Sequence, residues 1–208
     1  MAVVTEVEDG GGQDLRPGYG HGREALLAAA VRVVARGGLR KLTYRSVASE
    51  AGVTHGLVVH HFGSRDALLE ESLRWAVRRS IETSSLVPAS GRLEDFAATL
   101  PGFISADPEL QAFQYELKLE ASRRPELQQH VDALYDSYRD AVHGALVRFG
   151  MSQELVDIVF AALEGLVFHQ VTSGDPQRTE KGIQALRRLL AAHREQKPSS
   201  VADSVSGE

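Results

Sequence analysis

The stretch from Leu42 to Leu68 constrains the fold more than any other part of the chain. Thr43 can cap a short helix, because its hydroxyl accepts from the free amides of the first turn. Gly52 follows where this helix must stop, since glycine enters the left-handed conformation at little cost. Thr54 caps a second short helix, and Ser64 caps the next one. Two short helices joined by a glycine turn predict a helix-turn-helix, whose second helix enters the major groove of DNA.

This stretch resembles the helix-turn-helix of the TetR-type (tetracycline-repressor-like) transcriptional regulators, whose pattern runs T-x-x-x-I-A-x-x-A-G-V-S-x-G-x-L-Y-x-H/Y-F-x-x-K-x-x-L. The matching positions, without a gap, are Thr43, Val47, Ala48, Ala51, Gly52, Val53, Thr54, Gly56, Val58, His61, Phe62, Arg65 and Leu68. Val59 departs from the pattern, because the family usually carries there a tyrosine that reaches the DNA backbone. The operator preference is therefore expected to differ from that of relatives.

Residues expected to contact DNA lie at helix starts and on the outer face of the second helix. Helix N-termini favour anions, and phosphate contacts supply most of the affinity. The phosphate contacts are assigned to Thr43, Tyr44, Arg45 and Arg65. The residues facing the bases are assigned as Thr54, His55, Leu57, Val59 and His60, and Gly56 is expected to let the helix approach DNA closely. The residues expected in the core, without DNA contact, are Val47, Ala48, Ala51, Val53, Val58 and Phe62.

Charge is distributed unevenly along the chain, although the net charge is −5. Residues 13–81 hold 11 Lys or Arg against 6 Asp or Glu, whereas the rest of the chain holds 12 against 22. A basic N-terminal part on an acidic remainder is the asymmetry expected when one end of a protein meets phosphate.

The apolar periodicity predicts an all-α chain of about nine helices, without strands or repeats. We expect disordered tails at 1–20 and 196–208, a DNA-binding head at 21–66, and a body at 67–195 for effector binding and dimerisation. The first helix is predicted from about His21 to Arg36. A fifth helix is predicted from Ser90 or Gly91 to about Ser105, interrupted at Pro101, and a seventh is predicted to end at Gly150.

The family resemblance implies that the fourth to eighth helices enclose a small-molecule pocket. Apolar cavities with few polar anchors are the usual form of such sites. The candidate pocket residues are Trp75, Arg78, Phe96, Phe103, Phe113, Tyr115, Glu116, Glu120, Tyr138 and Phe168. Aromatic residues in such helices are more often plain core than ligand contacts.

The eighth helix is apolar around much of its circumference, which indicates a second buried face. In the family that this chain resembles, the last two helices of each subunit form a four-helix dimer interface. The residues assigned to this interface are Val156, Val159, Leu163, Leu166, Val167, Ile183, Leu186 and Leu190. The alternative is that both helices belong to the core of one subunit.

The sequence also argues against other classes of protein. It has no cysteine, which fits a reducing cytoplasm and excludes thiolate zinc sites. His55, His60 and His61 project in different directions from a helix and cannot converge on one metal ion. We expect no cofactor and no catalytic motif, and no apolar run long enough for a membrane span is expected.

The sequence therefore predicts a cytoplasmic, dimeric repressor that a small-molecule effector releases from a palindromic DNA operator. Two alternatives remain: a DNA-binding regulator without such an effector, acting as an activator or under the control of a protein, and an α-helical carrier or enzyme.

Overall fold

The computed structural model describes residues 19–196, with side chains from Gly22 onward, and both predicted tails lie largely or wholly outside this range. The described chain forms nine α-helices and two 3-10 turns, without a strand, so the all-α prediction is confirmed. The helices are α1 Tyr19–Gly37, α2 Tyr44–Ala51, α3 His55–Phe62, α4 Arg65–Thr83, α5 Leu100–Ala106, α6 Pro108–Ala121, α7 Pro125–Val147, α8 Gln153–Ser173 and α9 Pro176–Gln196. The 3-10 turns are Leu39–Lys41 and Leu93–Asp95.

The head is built on α1, whose buried stripe packs against α2 and α4. Leu26, Ala30 and Val34 recur at the spacing that places side chains on one helix face, and all three are buried. Val47 of α2 and Val58 of α3 are fully buried on the same core. The short helices α2 and α3 therefore depend on tertiary packing rather than on their own length.

The predicted fifth helix is wrong in its first half. Instead of a helix from residue 90 or 91, the chain forms the 3-10 turn Leu93–Asp95, and Ala97 then takes a positive φ of 55°. Pro101 lies in the first turn of α5 and does not interrupt it. The physical reason is that proline lacks an amide hydrogen, and the first helical turn is where that donor is not needed.

Two other predicted ends also differ. Helix α1 begins at Tyr19, before the predicted His21, and extends to Gly37. Helix α7 ends at Val147, and the next residues form a turn in which Gly150 has a φ of 76°. A glycine in the left-handed conformation closes this turn beyond the helix, because it has no Cβ to clash.

Helix α6 lies at the centre of the molecule, in contact with α1 of the head and with α7 and α8 of the body. Asp107 caps it by accepting from the Leu110 amide at 3.2 Å, and Pro108 occupies its first turn. Leu110, Phe113 and Leu117 form its fully buried stripe. One helix therefore touches both halves of the protein.

Helices α8 and α9 pack closely where a glycine faces a leucine. A Cβ added to Gly182 would lie 2.5 Å from Leu166 Cδ2, so any larger residue requires a shift of that side chain. No described part of the chain covers the outer side of α8, since Ile158 is 63% exposed and Phe168 is 47% exposed.

The expectation that no segment is long and apolar enough to span a membrane is wrong by length and composition. Helix α8 passes that test, and 28% of its most apolar 18-residue window is buried. Core helices of soluble proteins meet the same criterion.

Candidate nucleic-acid interface and body cavity

The turn between α2 and α3 is built from two caps and one glycine. Thr43 accepts from the Ser46 amide at 3.1 Å, and Ser46 Oγ accepts from the Thr43 amide at 3.0 Å, so the two residues form a reciprocal cap. Gly52 adopts a φ of 67°, and the Val53 amide donates to the Ala48 carbonyl at 2.9 Å. These bonds fix the angle at which α3 leaves α2.

Helix α3 presents one face to solvent along its length. Leu57 and Val59 are 38% and 36% exposed, and His55 and His60 are exposed beside them. Nothing lies within 4 Å of a Cβ built on Gly56, so this side of the helix is open to a close partner. Thr54, also exposed, caps the helix by accepting from the Leu57 amide at 3.4 Å.

The opposite face of α3 holds it on the head. Val58 is fully buried and Phe62 nearly so, as expected of core residues. Val53 differs from that expectation, because it is 36% exposed at the turn. The turn bends the chain away from the core there, so this valine lies on the same surface as the outer face of α3.

Two of the four predicted phosphate contacts are exposed, and two have other surroundings. Thr43 and Arg45 lie on the surface. The Tyr44 hydroxyl is buried without a hydrogen-bond partner among residues 19–196, and its ring meets the His55 ring edge-on at 5.8 Å. A buried hydroxyl cannot reach a phosphate in this conformation.

Arg65 anchors the 3-10 turn Leu39–Lys41 and the residue after it through two hydrogen bonds. Its Nε donates to the Leu42 carbonyl at 2.8 Å, and its Nη2 donates to the Leu39 carbonyl at 2.9 Å. A guanidinium that donates to two carbonyls is already oriented, which suits it to support the turn before α2. In this structure Arg65 faces the protein backbone, in contrast to the predicted phosphate contact.

The head and the body meet where α6 contacts the end of α1. Glu116 accepts from the Leu39 amide at 3.3 Å, so the same turn is held from the body side. Arg36 donates to Glu109 at 2.6 Å and also lies 3.4 Å from Glu50 of α2. The hydrogen bond to Glu109 raises the pKa of Arg36, so this link stays charged at any physiological pH. Sequence reasoning missed this role of Glu109, and it placed Glu116 in the pocket.

A cavity of about 60 Å³ lies in the body between α4, α5, α6, α7 and α8. Most of its wall is apolar or aromatic, and a short polar row crosses it. The lining residues are Ser80, Ser84, Leu86, Leu100, Phe103, Gln111, Gln114, Tyr115, Tyr135, Tyr138, Val142, Phe160, Leu163, Glu164 and Val167.

The polar row of the cavity is a connected network. The Tyr138 hydroxyl donates to Gln114 Oε1 at 2.8 Å, and Gln114 Nε2 donates to Ser80 Oγ at 3.2 Å. The Tyr115 hydroxyl donates to the Glu164 carbonyl at 3.0 Å. Burial raises the pKa of the Tyr138 phenol to about 12, so this hydroxyl remains a donor at neutral pH.

The structure brings three of the ten predicted pocket residues to this cavity, namely Phe103, Tyr115 and Tyr138. The other seven lie elsewhere for separate reasons. Phe96 and Phe113 are fully buried core. The Phe168 side chain is 47% exposed. Its ring meets the Tyr115 ring edge-on, with 5.3 Å between the ring centroids.

The remaining predicted pocket residues, three charged ones and Trp75, also contact other parts of the protein. Glu116 accepts a hydrogen bond from the Leu39 amide of the head. Glu120 forms an ion pair with Arg124, with 2.9 Å between Oε2 and Nε. Arg78 lines a separate groove between α4 and α7, and the Arg79 guanidinium covers the Trp75 ring at 5.6 Å.

Half of the lining residues that the sequence did not predict are polar. Gln111 and Gln114 lie three positions apart on the buried side of α6, although glutamine is seldom buried. Polar residues on an otherwise apolar stripe are the sequence signal that identifies a cavity wall.

Five of the eight predicted interface residues are buried within the subunit itself: Val156, Val159, Leu163, Ile183 and Leu190. They cannot form a contact with a second copy, because the packing of α9 and the other body helices already covers them. Leu166, Val167 and Leu186 are partly exposed. The apolar residues that remain most exposed on α8 and α9 are Ile158, Phe168 and Leu189.

Within the described residues, no group of three or more His, Cys, Asp or Glu side chains is placed to hold a metal ion. His55, His60 and His61 all lie on α3.

Two family models match successive parts of the chain. The family model described as "Bacterial regulatory proteins, tetR family" matches residues 26–72, and "Tetracyclin repressor-like, C-terminal domain" matches residues 91–192. The HTH-type transcriptional regulator BetI of Agrobacterium fabrum is 35% identical over 109 residues, which are 50% of this chain and 53% of that protein. The match thus spans about half the length of this relative.

Solved structures share the architecture. A TetR-family member from Streptomyces coelicolor A3 is 28% identical, with a TM-score of 0.67 over 81% of this chain and 97% of that one. The multidrug binding protein EbrR, solved with proflavin, is 25% identical, with a TM-score of 0.56 over 81% of this chain and 99% of that one. These relatives are regulators or binding proteins, not enzymes. The chain belongs to the TetR family of bacterial transcriptional regulators.

Proposed function

We propose that this protein is a dimeric repressor, which binds a palindromic DNA operator and leaves it when a small molecule occupies the body cavity. The observation that carries the proposal is the outer face of α3, which is exposed along its length while Val58 and Phe62 anchor the helix to the head. A rigid, exposed helix on a basic head is the form in which proteins present side chains to the major groove.

Base contacts come from the exposed face of α3. Leu57 and Val59 are apolar and suit thymine methyl groups, whereas His55 and His60 can donate to guanine acceptors. Val59 in place of the family's tyrosine removes a hydroxyl that can bind phosphate. Base readout therefore carries more of the specificity here than backbone contact at that position does.

Phosphate contacts come from the exposed Thr43 and Arg45 at the start of α2, together with the free amides of the helix N-terminus. We assign Arg65 and Tyr44 to a supporting role, because Arg65 donates to two backbone carbonyls and the Tyr44 hydroxyl is buried. They set the position of α2 and α3 without gripping DNA in this conformation.

The dimer forms through the outer side of α8 and the adjoining side of α9. Ile158, Phe168 and Leu189 are 63%, 47% and 68% exposed in the subunit. Ala161, Ala162 and Gly165 lie between the first two on α8, and small residues allow a second helix to approach closely. Exposed apolar groups of this number are typical of subunit interfaces.

Release of DNA is coupled to the cavity through α6. Gln114 and Tyr115 reach the cavity from this helix, and Glu109 and Glu116 bind the head from it. A ligand that moves α6 must therefore move α1 and the turn before α2, which changes the spacing between the two copies of α3. EbrR was solved with imidazole and with proflavin, which supports a small-molecule site in this fold.

A regulator without a small-molecule effector is the second candidate. The observation that favours it is the size of the cavity, about 60 Å³, whereas ligand sites usually offer about 300–1,000 Å³. Either regulator acts on chromosomal DNA, and we place the protein in the cytoplasm.

The first prediction concerns the operator. Purified full-length protein, incubated with a random pool of double-stranded DNA, should enrich a two-fold symmetric sequence with half-site centres about 34–36 Å apart or a multiple of that. The control is Leu57→Glu, which places a carboxylate on the exposed face of α3 and should abolish enrichment without unfolding the head. Sequencing that finds no enriched motif with the native protein would contradict a sequence-specific regulator.

The second prediction separates the two arginines. Arg45→Ala should lower the slope of log affinity against log salt by about 0.9, because one phosphate contact is lost. Arg65→Ala should leave the slope unchanged and lower the free energy of unfolding by about 1–3 kcal/mol, because the Leu39 and Leu42 carbonyls lose a charged donor. Salt titrations on the selected operator and urea unfolding measure the two effects. An equal loss of slope in both variants would show that Arg65 contacts phosphate.

The third prediction concerns the dimer. Ala162→Glu puts a charge in the middle of the exposed side of α8, so it should yield a monomer at concentrations where the native protein is a dimer. Ala133→Glu, on the exposed side of α7, is the matched control and should remain dimeric. Sedimentation equilibrium decides the question, and a dimeric Ala162→Glu variant would place the interface elsewhere.

A further inference from the structure

The cavity in the body has an unusual charge balance. Among its lining residues, all of which lie in the described part of the chain, Glu164 is the only one with a formal charge, and no lysine, arginine or histidine takes part. The rest of the wall consists of apolar side chains, three tyrosines, two glutamines and two serines. An anionic ligand would find no positive partner there and would face a carboxylate.

A lysine ammonium lies where this wall meets the surface. Lys118 Nζ is 2.6 Å from Glu164 Oε1 and 3.7 Å from the centroid of the Tyr135 ring. Both of these partners line the cavity, whereas Lys118 does not. Its side chain is 43% exposed, so the ammonium lies at the surface beside two residues of the cavity wall. Helices α6, α7 and α8 thus supply a cation, an aromatic face and a carboxylate to one point.

This combination is a recognised way to bind a cation. An ammonium over the face of an aromatic ring is attracted by the ring quadrupole, and the attraction grows as water is removed. The pair with Glu164 is partly exposed, and exposed ion pairs contribute little stability. Replacing the Lys118 ammonium by another cation therefore costs little, because the lysine regains hydration when it swings out.

The deeper part of the cavity fits an apolar group with at most one polar anchor. Leu100, Val142 and Leu163 belong to the apolar wall. Ser84 also lines the cavity, and its buried hydroxyl has no hydrogen-bond partner in the described part of the chain, so it is available to a ligand. Burial, together with the Glu164 charge, raises the pKa of the Tyr115 and Tyr135 phenols, so these rings remain neutral beside a cation.

We propose that the cavity binds a small organic cation with an apolar body, whose charged group takes the place of the Lys118 ammonium between Glu164 and Tyr135. This inference rests on the proposed function, in which the cavity is the effector site. Departure of Lys118 uncovers the Glu164 carboxylate and the face of the Tyr135 ring at the edge of the cavity. A neutral ligand forms no ion pair with Glu164, so its binding provides no electrostatic free energy for displacing the Lys118 ammonium.

The position of Lys118 also links ligand binding to the head. It lies two residues from Glu116 on α6, and Glu116 accepts from the Leu39 amide at the base of the head. The Lys118–Glu164 pair joins α6 to α8 at this level. When a ligand breaks this pair, α6 loses a tie to the body near its contact with the head.

The test compares three probes of similar shape by isothermal titration calorimetry on the full-length protein. Benzyltrimethylammonium is the cation, neopentylbenzene replaces its nitrogen by carbon, and benzenesulfonate carries the opposite charge. We expect the cation to bind at least about tenfold more tightly than the neutral probe, since about 1.4 kcal/mol corresponds to a factor of ten. Benzenesulfonate should not bind.

Two variants separate the partners. Lys118→Met keeps the apolar stem and removes the competing ammonium, so it should tighten binding of the cation about tenfold. Glu164→Gln keeps the shape and removes the charge, so it should weaken binding of the cation about tenfold while leaving the neutral probe within about twofold. Lys181→Met, on the exposed side of α9, is the matched control and should change neither affinity.

Equal affinity of the native protein for the cation and for its neutral isostere would overturn the inference, as would unchanged or weaker cation binding by Lys118→Met. The native protein is also tested for operator binding. If it selects a DNA motif but shows no preference for the cation, the inference alone fails. If it selects no DNA, the proposed function fails, whatever the calorimetry shows.

Discussion

The contact between α6 and the base of the head is the interaction on which the rest of the structure depends. Glu116 of α6 accepts from the Leu39 amide, and Arg65 of α4 donates to the Leu39 carbonyl. Both polar backbone groups of Leu39 are therefore hydrogen-bonded. The amide is bound by the body and the carbonyl by α4. Because buried polar groups are costly to leave unpaired, the turn cannot move relative to α6 without losing a bond.

From this turn the constraint extends in both directions along the chain. Leu42 and Thr43 lead directly into α2, and Gly52 then fixes the angle of α3, so a displacement at Leu39 reaches the exposed face of α3. On the other side of α6, Gln114 and Tyr115 form part of the cavity wall. The cavity and α3 are therefore two ends of one packed connection, which is the physical requirement for coupling between sites.

The sequence predicted the features that depend on local chemistry. The caps at Thr43, Thr54 and Ser64 and the left-handed Gly52 follow from side chains and their nearest neighbours, and each is present. Features that depend on which helix packs where were not predictable in this way. A buried phenylalanine in the core and one in a cavity wall have the same sequence pattern, so Phe113 and Phe103 could not be told apart. Val156 and Ile158 both belong to an apolar helix, and only the packing around α8 decides which of them remains exposed. Arg65 shows the same limit, because its partners are backbone carbonyls distant in sequence.

The most direct test of coupling through α6 is the affinity for the selected operator, measured by fluorescence anisotropy with the cavity empty and with it saturated by benzyltrimethylammonium. Coupling between two binding sites is typically about 1–3 kcal/mol, so we predict an affinity about 5–150-fold lower when the ligand is bound. The same factor must appear as weaker ligand binding by the protein–operator complex. Equal operator affinity in both states, with ligand occupancy verified by calorimetry, would contradict the account.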